Sequence, residues 1–326
     1  MDLVKRFLKY VSFDTQSDEN SNATPSTSKQ LNLAKYLVNE LKSIGCSDVF
    51  VDQYGIVYAT IPSNTEEKVD TIGLIAHMDT SPDCSGANIK PRIINKYDGS
   101  DITLNENTIM KVADFPSLKE NVGEDLIVTD GTTLLGADDK AGIAIIVEAA
   151  YRIINDKKSK HGEIKIAFTP DEEVGRGTEN FDVKYFNCDY AYTLDGGDIR
   201  FIEYENFNAA SAMVNVKGIN IHPGSAKNKM VNAILLAKEF DDLLPKDELP
   251  STTEGYEGFH HLNDINGDVE NVNMFYIIAL TAIYFVETVA AYIFFSHACE
   301  RKYKPTICLL IGFVLHYSAM LVNVLG

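Results

Sequence analysis

Paired cysteines are missing from this chain. Its five, Cys46, Cys84, Cys188, Cys299 and Cys308, are scattered, odd in number and never spaced C-x-x-C. That speaks for a reducing compartment and against a disulfide framework or a structural zinc ribbon. Positive charge is scarce as well: 29 Lys and Arg stand against 47 Asp and Glu, a formal net charge of −18 with a pI near 4.8. So acidic a surface argues against nucleic acid or an anionic membrane as partner. Neither an internal repeat nor a long low-complexity linker interrupts the 326 residues, a length that holds two domains and one sizeable core. The opening segment, MDLVKRFLKYVSFDTQS, is amphipathic at helical spacing and lacks the apolar centre of a signal peptide, so Asn22-Ala23-Thr24 reads as an accidental glycosylation sequon.

What is present is an alternation of helix and strand periods, the pattern of an α/β domain. Residues 2–13 and 29–44 read as amphipathic helices, the second expected to be capped from within TPSTSK. DVFVDQYGIVYATI reads as two strands with a turn at Tyr54-Gly55. TIGLIAH, EIKIAFTP and DYAYTLD are short apolar runs that end in polar residues, and GIAIIVEAAYRII is helical in length and period. Polar groups at the carboxyl ends of buried strands are where open α/β sheets build their sites. From Ala209 the pattern shifts to a strand (ASAMVNVKG), an HPG loop, a helix (NAILLAKEFDDLL), a Gly-rich link and a strand (DVENVNMFYII). This β-α-β-β order predicts the first part of a small ferredoxin-like domain.

FTPDEEVGRG sets three carboxylates, Asp171, Glu172 and Glu173, at the end of an apolar run. Adjacent anions repel, so either a positive group meets them or the segment is a solvated turn. Three further strand or loop ends carry similar residues: His77-Met78-Asp79, the segment Gly136 to Lys140 with Asp138 and Asp139, and Asp195-Gly196-Gly197. Taken singly, a histidine at a strand end is more often a hydrogen-bonded core residue than a ligand, and a pair of acids is usually solvated. Together, one imidazole and several carboxylates make the donor set of zinc or a related divalent ion. In H-x-D, strand alternation sends both side chains to one side, from where Asp79 can orient the His77 imidazole. An aspartate opening a helix, as in GADDKAGIA, can reach two cations through its two oxygens. Adjacent glutamates can divide metal binding and proton transfer between them. The acids of DEEVG are then expected to be neutralised by cations.

HMDTSPDCSG, TLLGADDKAGIA, AFTPDEEVGRG, YTLDGGD, YENFNAAS, HPGSAKNKMVNA and TTEGYEGF together resemble the peptidase T family, tripeptide aminopeptidases with co-catalytic zinc, from Met1 to about Ile278. The resemblance implies an α/β, zinc-aminopeptidase-like catalytic domain at residues 1–207 and a partial ferredoxin-like lid at 208–278. It also implies a short peptide substrate, a cytoplasmic location and a homodimer. By motif it places His77, Asp138 and Asp195 at a first zinc, with Asp138 bridging to a second zinc bound by Glu173. Glu172 is implied as general base, Asp79 as the support of His77, and His222 of the HPG loop as the group that stabilises the tetrahedral oxyanion. The family continues past the lid strand and returns to the catalytic domain with a last histidine ligand for the second zinc. None of His77, His161, His222, His260, His261, His297 and His316 stands in a matching motif, so the second site is expected to be one ligand short.

From Phe275 the composition changes to FYIIALTAIYFVETVAAYIFFS, HACERKYKP and TICLLIGFVLHYSAMLVNVL. Each apolar block has the roughly 20-residue length of a bilayer crossing, with Glu287 inside the first. The expectation is a peptidase truncated after about residue 278 and joined to an unrelated transmembrane hairpin at 279–326, with membrane association through residues 275–326. A buried helical hairpin is the alternative. The basic CERKYK loop sits awkwardly with a cytoplasmic amino-terminal domain, because positive loops favour the cytoplasmic side. Two readings of the whole chain follow: a tripeptide aminopeptidase, or an inactive membrane-tethered remnant that binds metal or peptide without turnover.

Overall fold

Apolar runs that never alternate with polar residues form strands buried on both faces, and VYATI, IGLIAH and IKIAFT do so in the computed structural model, which describes residues 2–197, 200–203 and 208–280. The chain divides into two units, one spanning Met1–Phe201 and one beginning at Ile202. In the first, the strands are β1 (Ser47–Val51), β2 (Val57–Ile61), β3 (Ile72–His77), β4 (Arg92–Ile94), β5 (Ile102–Asn105), β6 (Thr108–Met110), β7 (Leu126–Val128), β8 (Ile164–Thr169) and β9 (Tyr190–Thr193). The helices are α1 (Leu3–Val11), α2 (Gln30–Ile44), α3 (Ala137–Asn155) and the single turn α4 (Val183–Phe186). The main sheet has the order β1-β2-β8-β3-β9. β1, β2 and β8 are antiparallel neighbours, whereas β8, β3 and β9 run parallel. β4 with β7 and β5 with β6 form two small antiparallel pairs.

Period-two alternation divides the sheet's side chains between two cores. Val57, Ala59, Ile61, Ile164, Ile166 and Phe168 pack with Phe7, Leu33, Leu37, Ile143 and Ile146 of the long helices. The intervening Tyr58 and Ala167 pack with Phe186 of α4 in a much smaller cluster. Arg6 is buried and donates to Glu148 at 3.1 Å and to Glu40, so one guanidinium ties α1 to α2 and α3. The cap expected for α2 is absent: Lys29 stands at its N-cap without a side-chain bond, and the defined end is the other one, where Gly45 at φ 103° closes the helix.

Three parallel strands share a direction, so their carboxyl ends meet at one edge. His77 pairs with Thr169, and Ile75 with Thr193. The residues that follow β3, β8 and β9 are therefore brought together, although about 120 residues separate the first from the last.

The second unit contains β10 (Asn208–Lys217), α5 (Ala233–Leu243), β11 (Phe259–Gly267) and β12 (Asn271–Leu280) in an antiparallel sheet of order β10-β12-β11. Val214, Val216, Met274 and Tyr276 pack against Ala233, Ala237 and Phe240 of α5. The Gly-rich link of the sequence reading is corrected here, since it contains β11. FHHLNDING buries only His260, so an edge strand with polar residues on both faces gave no apolar period to read. The expected membrane hairpin at 279–326 lies outside the described residues except for Ala279 and Leu280, which end β12. Among the described residues no helix is long and apolar enough to cross a membrane.

Candidate metal centre

His77 is the last residue of β3 and is buried. Its Nε2 faces three carboxylates: Asp138 Oδ1 at 2.9 Å, Asp195 Oδ2 at 3.7 Å and Glu172 Oε2 at 3.9 Å. The ligand atoms of His77, Glu172 and Asp195 lie within 4.8 Å of one another, and so do those of His77, Asp138 and Glu173. Five of the expected residues thus meet at the carboxyl edge of the sheet. Asp79 sits buried behind them. His222 belongs to the other unit, where it is exposed and its Nδ1 accepts from the Gly224 N–H at 3.2 Å, capping the turn Pro223–Ser225.

Asp79 follows just beyond the last residue of β3. The Met78 N–H still bonds the Thr169 carbonyl at 2.8 Å, and the Asp79 carbonyl oxygen lies 3.1 Å from His77 Nδ1 while its Oδ1 lies 3.4 Å away. The carboxylate has further partners. It accepts from the Glu172 N–H at 2.9 Å and the Glu173 N–H at 3.1 Å. One side chain therefore fixes the imidazole's neighbour and the backbone of both glutamates, leaving Nε2 toward the acids.

Asp138 and Asp139 open α3 with non-helical backbone (φ −80°, ψ 110° and φ −117°, ψ 32°). The two side chains part: Asp138 is exposed toward His77, and Asp139 is buried. Asp139 accepts from the His77 N–H at 3.3 Å and from the Gly142 N–H at 3.1 Å. Gly142 has no room for more, because a Cβ there would lie 2.2 Å from the Leu194 carbonyl oxygen. This close approach packs the start of α3 against the segment that delivers Asp195. The sequence reading assigned no role to Asp139 or Gly142; a glycine in the first turn of an apolar helix was the available signal.

The three acids of DEEVG do not share one fate, which corrects the expectation that cations neutralise them all. Asp171 is buried at φ 60° and turned away from the cluster. It accepts from the Ser26 N–H at 2.7 Å, the Ser26 hydroxyl at 2.5 Å and Gln30 Nε2 at 2.7 Å, with the Arg176 guanidinium 3.7 Å away. Protein donors meet its charge. Among the described residues no such donor meets the carboxylates of Glu172 and Glu173, which face the remaining acids.

The electrostatics follow from this crowding. Burial disfavours a charged imidazole, but the hydrogen bond and charge of Asp79, with the charges of Asp139 and Asp195, outweigh it and raise His77 to about 10. Burial, together with the charge of Asp195, pushes Asp139 up to about 8 against the pull of His77. Glu172, Glu173 and Asp195 are all raised, first by burial and then by the neighbouring carboxylates, with His77 acting in the opposite direction. An imidazole and four carboxylates at this spacing fit a divalent cation of the zinc type, which would relieve the repulsion among the acids. His77 is the cluster's sole histidine among the described residues. His161 bonds the Gly162 carbonyl at 2.8 Å, His260 and His261 lie on β11, and His297 and His316 fall outside the described residues.

Comparison with known proteins gives consistent results. Residues 130–234 match the profile of peptidase family M20/M25/M40, and residues 204–293 match the peptidase dimerisation domain. The chain is 54% identical over 304 residues to a peptidase T of Desulfitobacterium hafniense (strain Y51), covering 92% of this chain and 74% of that protein. It is 57% identical over 279 residues to a peptidase T of Clostridium botulinum (strain Loch Maree / Type A3), covering 85% of this chain and 68% of the relative. Among solved structures, the aminopeptidase PepT from Bacillus cereus superposes with a TM-score of 0.62 at 26% identity, over 91% of this chain and 72% of that one. A tripeptidase from Staphylococcus aureus shares the fold at a TM-score of 0.63, with 21% identity over 91% of this chain and 72% of its own.

Proposed function

This chain belongs to the peptidase T family, and on that premise we propose that it is a metal-dependent aminopeptidase releasing the amino-terminal residue from tripeptides. The observation that carries the reading is the convergence of His77, Asp138, Glu172, Glu173 and Asp195 from four separate segments onto one edge of the sheet. His77, Asp138 and Asp195 would hold a first zinc, and Asp138 with Glu173 would hold a second, for which no further histidine stands in the cluster among the described residues. Zinc, when bound, supplies Lewis acidity toward the scissile carbonyl.

The chain's own groups do the rest. Glu172 takes a proton from the attacking water and passes it to the leaving amine. Its proton affinity is raised by burial and by Asp195, Asp79 and Asp138, which suits a group that must both accept and release a proton. Asp79 holds the Glu172 and Glu173 amides and keeps His77 oriented. His222 is the oxyanion donor of this proposal, and the dimerisation-domain match at 204–293 supports a pair of copies. The free thiols of Cys46, Cys84 and Cys188 suit a reducing compartment. No observation favours the alternative of an inactive, membrane-tethered remnant.

The test is hydrolysis of a tripeptide by the purified full chain with added zinc or cobalt, beside Glu172→Gln. Turnover in the parent and a loss in kcat of about 10²–10⁴-fold in the variant, with cobalt still bound, are expected. Turnover indifferent to the substitution, or bound metal without any turnover, would overturn the reading.

A further inference from the structure

One stretch outside the cluster is hydrogen-bonded to three of the four segments that build it. Residues 13–30 connect α1 to α2, and their contacts fall on three segments that carry the acids and the imidazole. The Phe13 carbonyl accepts from Nζ of Lys140, fully buried next to Asp138 and Asp139, at 2.9 Å. The Thr15 carbonyl accepts from the Thr80 N–H at 3.3 Å, the Ser17 N–H donates to the Thr80 carbonyl at 3.1 Å, and Gln16 Nε2 donates to the Pro82 and Cys84 carbonyls at 3.2 and 2.8 Å. These bonds fix the chain immediately after His77 and Asp79. Ser26 and Gln30 supply the donors to Asp171, the residue before Glu172 and Glu173. The stretch is also tied to itself, through Thr27 Oγ1 on the Gln16 carbonyl at 2.7 Å and Lys29 on Asp14 at 3.0 Å.

We propose that residues 13–30 form a strap that positions the metal-binding and basic groups, with Ser26 and Gln30 as positioning residues that act on Glu172 and Glu173 through Asp171. What the strap serves rests on the hydrolase reading above; that it holds the turn does not. Four like charges facing one imidazole push apart, and past the ends of β3 and β9 the sheet ladder adds the Met78 N–H on the Thr169 carbonyl and the Leu194 N–H on the Ile75 carbonyl. A buried carboxylate taking charge-assisted bonds from a hydroxyl, an amide side chain and a backbone N–H is a strong, directional anchor. It reaches 145 residues back along the chain. Asp171 therefore pins one side of the DEE turn to the strap, while Asp79 pins the other side from beneath. Each glutamate is held at its backbone, so its carboxylate stays free for chemistry.

The experiment uses the full chain carrying Ser26→Ala with Gln30→Leu, and Ser26→Thr as the conservative control. Amide hydrogen exchange over residues 170–178, cobalt titration by visible absorption, and kcat and KM on a tripeptide are read side by side. In the double variant, exchange over 170–178 accelerates while residues 57–61 of β2 keep their protection. Cobalt affinity falls about 10–100-fold, and kcat falls by a similar factor with KM nearly constant. Ser26→Thr restores all three. Unchanged exchange over 170–178, or acceleration spread equally through the sheet, would overturn the strap and leave only a stabilising loop. Should the parent fail to cleave tripeptides, the hydrolase reading falls while the exchange measurement still decides the strap. If the double variant does not fold, Gln30→Leu alone is judged by the same criteria.

Discussion

Asp79 shows how much a single buried residue can organise from behind the cluster. Its two oxygens take the amides of Glu172 and Glu173, and its carbonyl takes the imidazole. Asp79→Asn keeps the shape but replaces one acceptor by an NH₂ group that cannot receive an amide proton. Cobalt titration of this variant should show affinity down by about 10–100-fold, while its melting temperature moves little by comparison. An affinity equal to the parent's would refute the role. At this scale the sequence was legible where chemistry is a matter of residue type: His77, Glu172, Glu173 and Asp195 stand out as acids and imidazole at the ends of apolar runs, and Asp138 as an aspartate opening a helix. It was illegible for Asp171, whose neighbours carry the same functional group. Only the left-handed backbone at φ 60° turns that carboxylate inward to Ser26 and Gln30.

Elements meet at the site through close backbone approach. An alanine in a helix interior normally gains about 1 kcal/mol over glycine. At Gly142 the sign reverses, because the added Cβ would sit 2.2 Å from the Leu194 carbonyl oxygen and 2.4 Å from Asp139 Oδ1. Relieving that overlap means moving α3 away from the segment before Asp195, and overpacking of this kind costs about 1–3 kcal/mol. Gly142→Ala is expected to lower the urea midpoint and to weaken cobalt binding together; a stabilised variant would contradict the packing argument. The long helices and the apolar strands were readable because their periods are strong. β11 was not, since an edge strand bonded on one side keeps polar residues throughout FHHLNDING. The α2 cap was not readable either: the N-cap position falls on Lys29, whose side chain makes no cap bond, while Ser26 earlier in the segment gives its hydroxyl to Asp171.

Across the whole molecule, charge sets the response to pH. The chain carries a formal net charge of −18, and the cluster concentrates part of it. His77 is raised to about 10 and Asp139 to about 8, so both bind protons more tightly folded than unfolded. Their contribution to stability is complete below the ordinary values of 6.5 and 3.8 and is lost as pH rises through about 8 and then about 10. Chelator-treated protein should therefore melt at progressively lower temperature between pH 5 and pH 9 (a range of about four units set by these shifts), as followed by scanning fluorimetry. Added zinc should flatten the slope, because a bound cation takes over from the protons. A metal-stripped protein that gains stability on that climb would show that the acids do not crowd as described.

The sequence by itself determined the fold class, the donor chemistry and the family, because each rests on local information: the period of the apolar residues, the types of side chain and the order of motifs. Tertiary structure alone decided which acids gather around His77 and which bond to the scaffold. That choice depends on where each carboxylate finds its hydrogen-bond donors. For Asp171 the donors come from Ser26 and Gln30, and for Asp139 one comes from His77, partners that only folding brings within reach.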